Sequence, residues 1–294
     1  MSSGSSLKAL ALGLPIAALL WGAWGFSVHR NINRSAVYAL PSPLKEYVLP
    51  HVDWLSEHAV DADKRKYAVV DEAPKHYIDL DALPLPWDSV PHRYDRAVEL
   101  FSRDTVWEYG VLPWQIRWTY NGLVEALKEG DLERTLKSMA DLGHYVGDAH
   151  VPLHTTVNYN GQLTGQKGIH GLWETRLPEL FMDGYDLVVE PAAYVQDVGA
   201  FTWEAIYASH NYVPVVLNEE RATSELMGPN TYVQEERGRS IQKLRSRPFC
   251  ERYHAGLDGM VEERWRTSIS AVSRLWFSAW VDAGQPEIQP DAVD

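Results

Sequence analysis

The sequence predicts an all-α protein folded as a single multi-helix domain of roughly eight to ten helices. Three observations carry that prediction. Apolar residues recur at helical spacing through most of the chain. No stretch alternates with period two long enough to make a convincing strand. No internal repeat, low-complexity tract or linker divides the chain.

Residues 1–23 read MSSGSSLKALALGLPIAALLWGA. A polar start with one cation, Lys8, leads into an apolar run from Ala9 to Trp21, then Gly22 and Ala23. The run is shorter than the ~20 apolar residues that span a bilayer, and it has the plan of a secretory signal peptide. Cleavage after Ala23 would leave residues 24–294 as the working domain, beginning with Trp24, in an exported periplasmic or extracellular protein.

The helices follow in order. Asn31 to Leu40 has apolar residues at helical spacing and is closed by Pro41 and Pro43. Tyr94 to Trp107 carries Ala97, Leu100, Phe101, Val106 and Trp107, and Gly110 and Pro113 end it. Trp114 to Lys128 and Leu132 to His150 are two amphipathic runs parted by the turn signal Gly130-Asp131. Leu177 to Phe181, Val198 to His210, Asn230 to Arg245 and Gly259 to Ala283 complete the set. The stripe Trp265, Leu275, Trp276 and Trp280 reads as helix packing within a chain unusually rich in tryptophan.

Composition narrows the function. Lys and Arg number 27 and Asp and Glu 40, a net charge of −13. Such a body argues against broad neutralisation of duplex DNA phosphates. It leaves open an enzyme that meets phosphates through bound cations. The single cysteine, Cys250, allows no internal disulfide and has no His or Asp pattern that would activate it.

The histidines are unusual in placement. His144, His150, His154 and His170 fall within the 31 residues that end at Glu174. His144 and Asp148 stand four apart and so share one face of a helix; His170 and Glu174 repeat the relation. With His154 between the two pairs, imidazole and carboxylate reach the density that borderline cations such as zinc require.

The motifs H-Y-V-G-D-A-H-V-P-L-H and G-I-H-G-L-W-E resemble the metal-binding core of the zinc-dependent phospholipase C and single-strand-specific nuclease superfamily. W-G-F-S-V-H (Trp24 to His29) resembles that family's mature N-terminus. A-V-D (Ala59 to Asp61) with K-H-Y-I-D (Lys75 to Asp79) resembles its second ligand pair, and A-V-S-R-L-W-F-S-A-W its closing helix. The resemblance implies an all-α fold holding three zinc ions. Asp61, His76, His144 and Asp148 would hold one ion of a close pair. Asp148 would bridge to a neighbour held by His29 and by the amino nitrogen and carbonyl of Trp24, which the signal must first release. His154, His170 and Glu174 would hold the third. Asp61 and Asp63 compete for one place, and the 15-residue gap from Asp61 to His76 fits the nuclease branch. His150 falls where the family has a polar non-ligand.

The implied reaction is hydrolysis of a phosphodiester, with Asp61 orienting or deprotonating the attacking water. Tyr77, Asp79 and Lys64 would meet the substrate, either a phospholipid or single-stranded nucleic acid. Glu174 as last ligand and the missing disulfides suit the phospholipase branch; the spacings around His29 and His76 suit the nuclease branch. The phospholipase C-like label is favoured, with a single-strand nuclease or nucleotidase second and a non-catalytic zinc-binding protein third. A monomer without a stable protein partner is expected, with transient contact at a membrane surface. Loss of Lys8 with the signal would make the charge −14, and three divalent ions would add six positive charges at one spot.

Overall fold

A computed structural model of the chain describes residues 25–237 and 240–287. The signal-like segment and Trp24 lie outside the described residues, and so does the predicted cleavage site. The all-α expectation is borne out apart from one two-stranded sheet.

Helix α1 (Phe26–Tyr38) buries Val28, His29, Ile32, Asn33, Ala36 and Val37 along one stripe. Short helices α2 (Leu44–Val48), α3 (Val52–His58) and α4 (Asp61–Arg65) follow. These three, together with Arg247–Gly256 (α12 below), went unread in the sequence, since five to ten residues make too few turns to show a period. The predicted run from Tyr94 to Trp107 is two helices, α5 (Tyr94–Phe101) and α6 (Arg103–Glu108). Ser102 breaks it with φ 75°, and its hydroxyl caps the second helix by accepting from the Thr105 N–H.

Helices α7 (Leu112–Glu129) and α8 (Leu132–Ala149) form an antiparallel hairpin. Gly130 ends α7 in the left-handed conformation, and the Asp131 carboxylate opens α8 by accepting from the Arg134 N–H at 3.0 Å. A short helical stretch, α9 (Ile169–Gly171), passes through a π-helical turn at Leu172–Arg176 into α10 (Leu177–Phe181). Helix α11 (Val198–Met227) runs well beyond the predicted His210, through Pro214.

The expected helix over 230–245 is instead an antiparallel pair, β1 (Tyr232–Arg237) and β2 (Ser240–Arg245), with Tyr232 opposite Arg245. Its polar face hid the alternation. The Tyr232 ring lies under Lys243 and Arg245, 4.2 and 4.3 Å from the cations, and Glu235 pairs with the largely buried Arg176. Helices α12 (Arg247–Gly256) and α13 (Met260–Asp282) close the chain.

The core lies between α1, α7, α8, α11 and α13. Trp265 and Trp276 of the predicted stripe are fully buried, and the Trp276 indole N–H donates to the Met139 carbonyl at 3.1 Å. This packing fixes α1 and α8 side by side, with His29 facing His144 and Asp148. Among the described residues no helix is long and apolar enough to cross a membrane.

Candidate metal centre

Three groups of side chains bring ligand atoms close enough to share an ion: His29, Asp63 and His144; His76, His144 and Asp148; and His154, His170 and Glu174. All but His170 are buried. Helix α8 supplies His144 and Asp148 one turn apart, and α1 supplies His29 opposite them. The ring of His29 lies flat on that of His144, with centroids 4.1 Å apart. A side chain at Gly147 would begin 3.0 Å from His29 Nδ1, so glycine there lets the ring sit directly on α8.

His76 ends a 3₁₀ turn (Ala73–His76) beyond α4. Its Nδ1 lies 2.8 Å from Asp148 Oδ2 and 3.0 Å from His144 Nε2. His144 Nε2 is in turn 3.3 Å from Asp148 Oδ2 and 3.6 Å from Asp63 Oδ1. The other oxygen of Asp148 faces His29 Nε2 at 3.5 Å. In the third group, Glu174 Oε1 and Oε2 lie 3.0 Å from His154 Nε2 and His170 Nε2.

Glu174 sits in the π-helical turn. Pro178 explains that turn: it has no N–H for the Glu174 carbonyl four residues back, and its ring would clash with that oxygen in a regular helix. π turns of this kind concentrate at functional sites.

Two features show that these residues fit zinc. With ligand bonds of 2.0–2.1 Å, a tetrahedral site has ligand-to-ligand edges of about 3.3 Å. Most of the separations above, 2.8 to 3.6 Å, bracket that value. The imidazoles are also set in tautomers that expose a bare nitrogen. His144, His154 and His170 each direct Nδ1 at a backbone carbonyl, of Ala59, His76 and Tyr159. A carbonyl only accepts, so Nδ1 carries the proton and Nε2 is left with its lone pair toward the centre.

His76 is turned the other way round. Its Nδ1 faces the centre, while Nε2 points toward Glu72 Oε1 at 3.7 Å. Glu72 is itself buried; it accepts the Tyr145 hydroxyl at 2.6 Å and pairs with Lys75 at 2.8 Å and Arg65 at 3.3 Å. Burial raises the Glu72 carboxyl, but these neighbours outweigh it and hold the group well below the ordinary carboxylate range.

The carboxylates of the centre attract positive charge, a proton on His154 Nε2 or a cation in its place. Burial disfavours a charged His154, yet Asp148 and Glu174 push its pKa up to about 9; burial would raise Glu174, yet His170 and His154 bring it down to about 2. Asp148 is held well below its ordinary value against burial by His144 and His154. Buried carboxylates are thus kept ionised, as a cation site requires. His150 is not in the cluster. It donates Nδ1–H to the Val146 carbonyl, and burial and Arg264 press its pKa down to about 3, leaving a buried neutral side chain.

The structure corrects the choice of aspartate. Asp61 points to the surface, 2.7 Å from Lys64 and 3.7 Å from His58. Asp63 is the buried one and stands with His144 and His29. Helix α4 turns two residues between them, about 200°, so only one can face inward, and buried Ala62 and Asp63 mark that face. Lys64 leaves the site with Asp61. Lys66, 2.7 Å from Asp63, stands at the cleft in its place. It could have been read from the same three-residue spacing, moved on by two.

A cleft of about 630 Å³ opens over His76, His154 and His170. Tyr77 and Asp79 line it as expected, joined by Lys66, Tyr159, Asn160 and Lys167, which sequence reasoning missed. Gly110 (φ 95°) lets the Tyr77 backbone approach closely, since a side chain there would meet the Tyr77 carbonyl at 2.1 Å. Burial and the nearby Asp81 raise Asp79 to about 7. Trp24 lies outside the described residues. Its neighbour Gly25 is buried against Thr175, beside Glu174.

No family model matches the chain. It is 26% identical over 195 residues to Nuclease S1 of Aspergillus oryzae, covering 62% of this chain and 63% of that protein. Its fold is similar to that of Clostridium perfringens alpha-toxin from an avian strain, with a TM-score of 0.52 at 13% identity, over 91% of this chain and 65% of the toxin. The chain therefore spans just under two thirds of the length of either protein.

Proposed function

We propose that this chain, whose resemblance to the zinc-dependent phospholipase C and single-strand nuclease superfamily is borne out by its likeness to Nuclease S1 and to alpha-toxin, is a zinc-dependent phosphodiester hydrolase. The observation that carries this reading is Asp148, buried between His76 and His144 on one oxygen and His29 on the other.

His76, His144, Asp63 and Asp148 would hold one ion, and Asp148 and His29 its neighbour together with the terminal amine and carbonyl of Trp24. His154, His170 and Glu174 would hold a third. Gly25 beside Thr175 supports the placement of Trp24, which rests on removal of residues 1–23 and hence on export. Zinc bound there supplies positive charge for the phosphoryl oxygens and acidifies water toward a pKa of ~7.

The chain's own groups do the rest. Asp63 lies where it can orient or deprotonate the attacking water. The Lys66 ammonium faces the cleft and offers charge to the diester's non-bridging oxygens. Tyr77 presents a ring to the leaving portion of the substrate, and Asp79, raised toward neutrality, offers a proton to a polar atom on it.

Nuclease S1 as relative favours single-stranded nucleic acid as the second reading, with Tyr77 stacking on a base. A storage protein without catalysis has no use for a cleft opening onto the ligand groups. A panel of bis(p-nitrophenyl) phosphate, phosphatidylcholine and single-stranded RNA tests the proposal: zinc-dependent cleavage of at least one supports it, and no cleavage of any after zinc loading overturns it.

A further inference from the structure

Arg264 of α13 is a buried cation outside the ligand groups, 3% exposed. Among the described residues the one carboxylate near its guanidinium, that of Glu263, stands 4.0 Å away. Burying a charge is costly unless its hydrogen bonds are met. Neutral oxygens meet them here. Nε donates to the His150 carbonyl at 3.1 Å, and one terminal nitrogen donates to the Ala205 carbonyl at 3.0 Å and to the Ser209 hydroxyl at 2.7 Å. An apolar side chain of similar volume would often fill such a place with no loss of stability, so packing alone does not account for the charge.

The end of α8 does. A helix leaves its last carbonyls without partners of its own. Those of Val146, Gly147 and Asp148 are met locally, by the His150 ring N–H, the His150 backbone N–H and the Val151 N–H. The next two are met from other helices. The Ser209 hydroxyl of α11 donates to the Ala149 carbonyl at 2.7 Å, and Arg264 donates to that of His150. Ser209 gives its proton to Ala149 and accepts from Arg264, so the two side chains form one clasp. A cation also suits the negative end of a helix dipole.

The clasped carbonyls open the short linker from Asp148 to His154, which joins the ligands on α8 to the group of His154, His170 and Glu174. We propose that Arg264 and Ser209 are positioning residues that fix this linker, and so set His154 relative to Asp148, a role that rests on the zinc-centre reading and adds to it. Both act through backbone carbonyls and not through a ligand side chain. Asp148 is held by α8 itself. His154 depends on the linker, which has only a three-residue 3₁₀ turn (Pro152–His154) of its own and a proline without an N–H. The linker's far end is tied to the same helix as its near end: the His210 ring, next to Ser209 on α11, donates to the Thr155 carbonyl at 3.0 Å. Loss of the clasp therefore moves His154 before it moves Asp148.

The test compares wild type with Arg264→Met and Ser209→Ala; the second removes only a hydroxyl and decides the matter if the first does not fold. Amide hydrogen exchange of the metal-free protein reads the linker, whose Val151, His154 and Thr155 N–H groups are all hydrogen-bonded. These amides should exchange about tenfold faster in the variants while those of α7 keep their wild-type rates. Titration against a competing zinc chelator reads the consequence. The equivalent that Glu174→Ala abolishes should weaken about tenfold. In a Glu174→Ala background neither substitution should change the affinity of the equivalents that remain. Unchanged linker exchange, equal acceleration in α7, or faster linker exchange with that equivalent at full affinity would each overturn the proposal. A wild type that binds no zinc refutes the hydrolase reading instead, and the exchange rates still decide whether the clasp holds the linker.

Discussion

Glu72→Gln removes one negative charge from behind His76 while leaving an oxygen for the Tyr145 hydroxyl. In the native protein Glu72 Oε1 faces His76 Nε2 at 3.7 Å, whereas Asp63 and Asp148 meet the ring at Nδ1. A proton on Nε2 frees Nδ1 to ligate, and the carboxylate favours that tautomer and raises the ligand's basicity. Loss of such an outer partner typically costs 10–100-fold in metal affinity, about 1.4–2.7 kcal/mol. Folding should suffer less. Arg65 keeps Asp141 at 3.0 Å, and Lys75 is partly exposed and can be solvated. Titration of metal-free protein against a competing zinc chelator should show one equivalent weakened by that factor. The equivalent at His154, His170 and Glu174 should be unchanged, as should the thermal midpoint to within a few degrees. Unchanged affinity for every equivalent would refute the role assigned to Glu72, and equal weakening of all would show only a general loosening of the fold.

Asp63→Asn should lower both zinc content and diester cleavage, whereas Asp61→Asn should leave metal content at the wild-type value; the reverse result in elemental analysis would restore Asp61 to the site. Gly143→Ala sets a methyl 1.9 Å from Asn33 Oδ1, on the residue whose amide ties α1 to the Leu55 and Ala140 carbonyls. Urea unfolding should show a loss of about 1–3 kcal/mol, and an undiminished midpoint would contradict the packing described. Burial pushes the Cys250 thiol up to about 11. A raised folded value means its contribution to stability is complete below the unfolded pKa of about 8.5 and drains as pH climbs toward 11. Cys250→Ala should flatten the alkaline fall in stability between pH 8 and 10.5, and the native thiol should resist Ellman's reagent at pH 8.

Much of the site was legible because the chemistry fell on long helices. His144 and Asp148 lie on α8, where a four-residue gap means one face whatever the tertiary fold does. His170 and Glu174 kept that relation even though a π turn intervenes. Asp61 against Asp63 was not legible, since α4 is five residues long and only its packing under α8 decides which carboxylate turns inward. Lys66, Tyr159 and Lys167 reach the cleft from loops, where spacing carries no direction. Of the fold, α7, α8 and α13 were plain from their apolar period. Residues 230–245 misled because the strand pair is mostly polar and gains its order from Tyr232 under two cations and from Arg176 to Glu235, contacts distant in sequence.

Phosphodiester hydrolysis by this chain requires that the ligand groups hold zinc. Elemental analysis of protein purified from an exporting host and dialysed against metal-free buffer, read alongside its N-terminal sequence, tests this most directly. Three zinc ions per chain on a protein beginning at Trp24, falling to two in Glu174→Ala, are the predicted result. Fewer than two ions in the wild type, or full metal content in the variant, would contradict it.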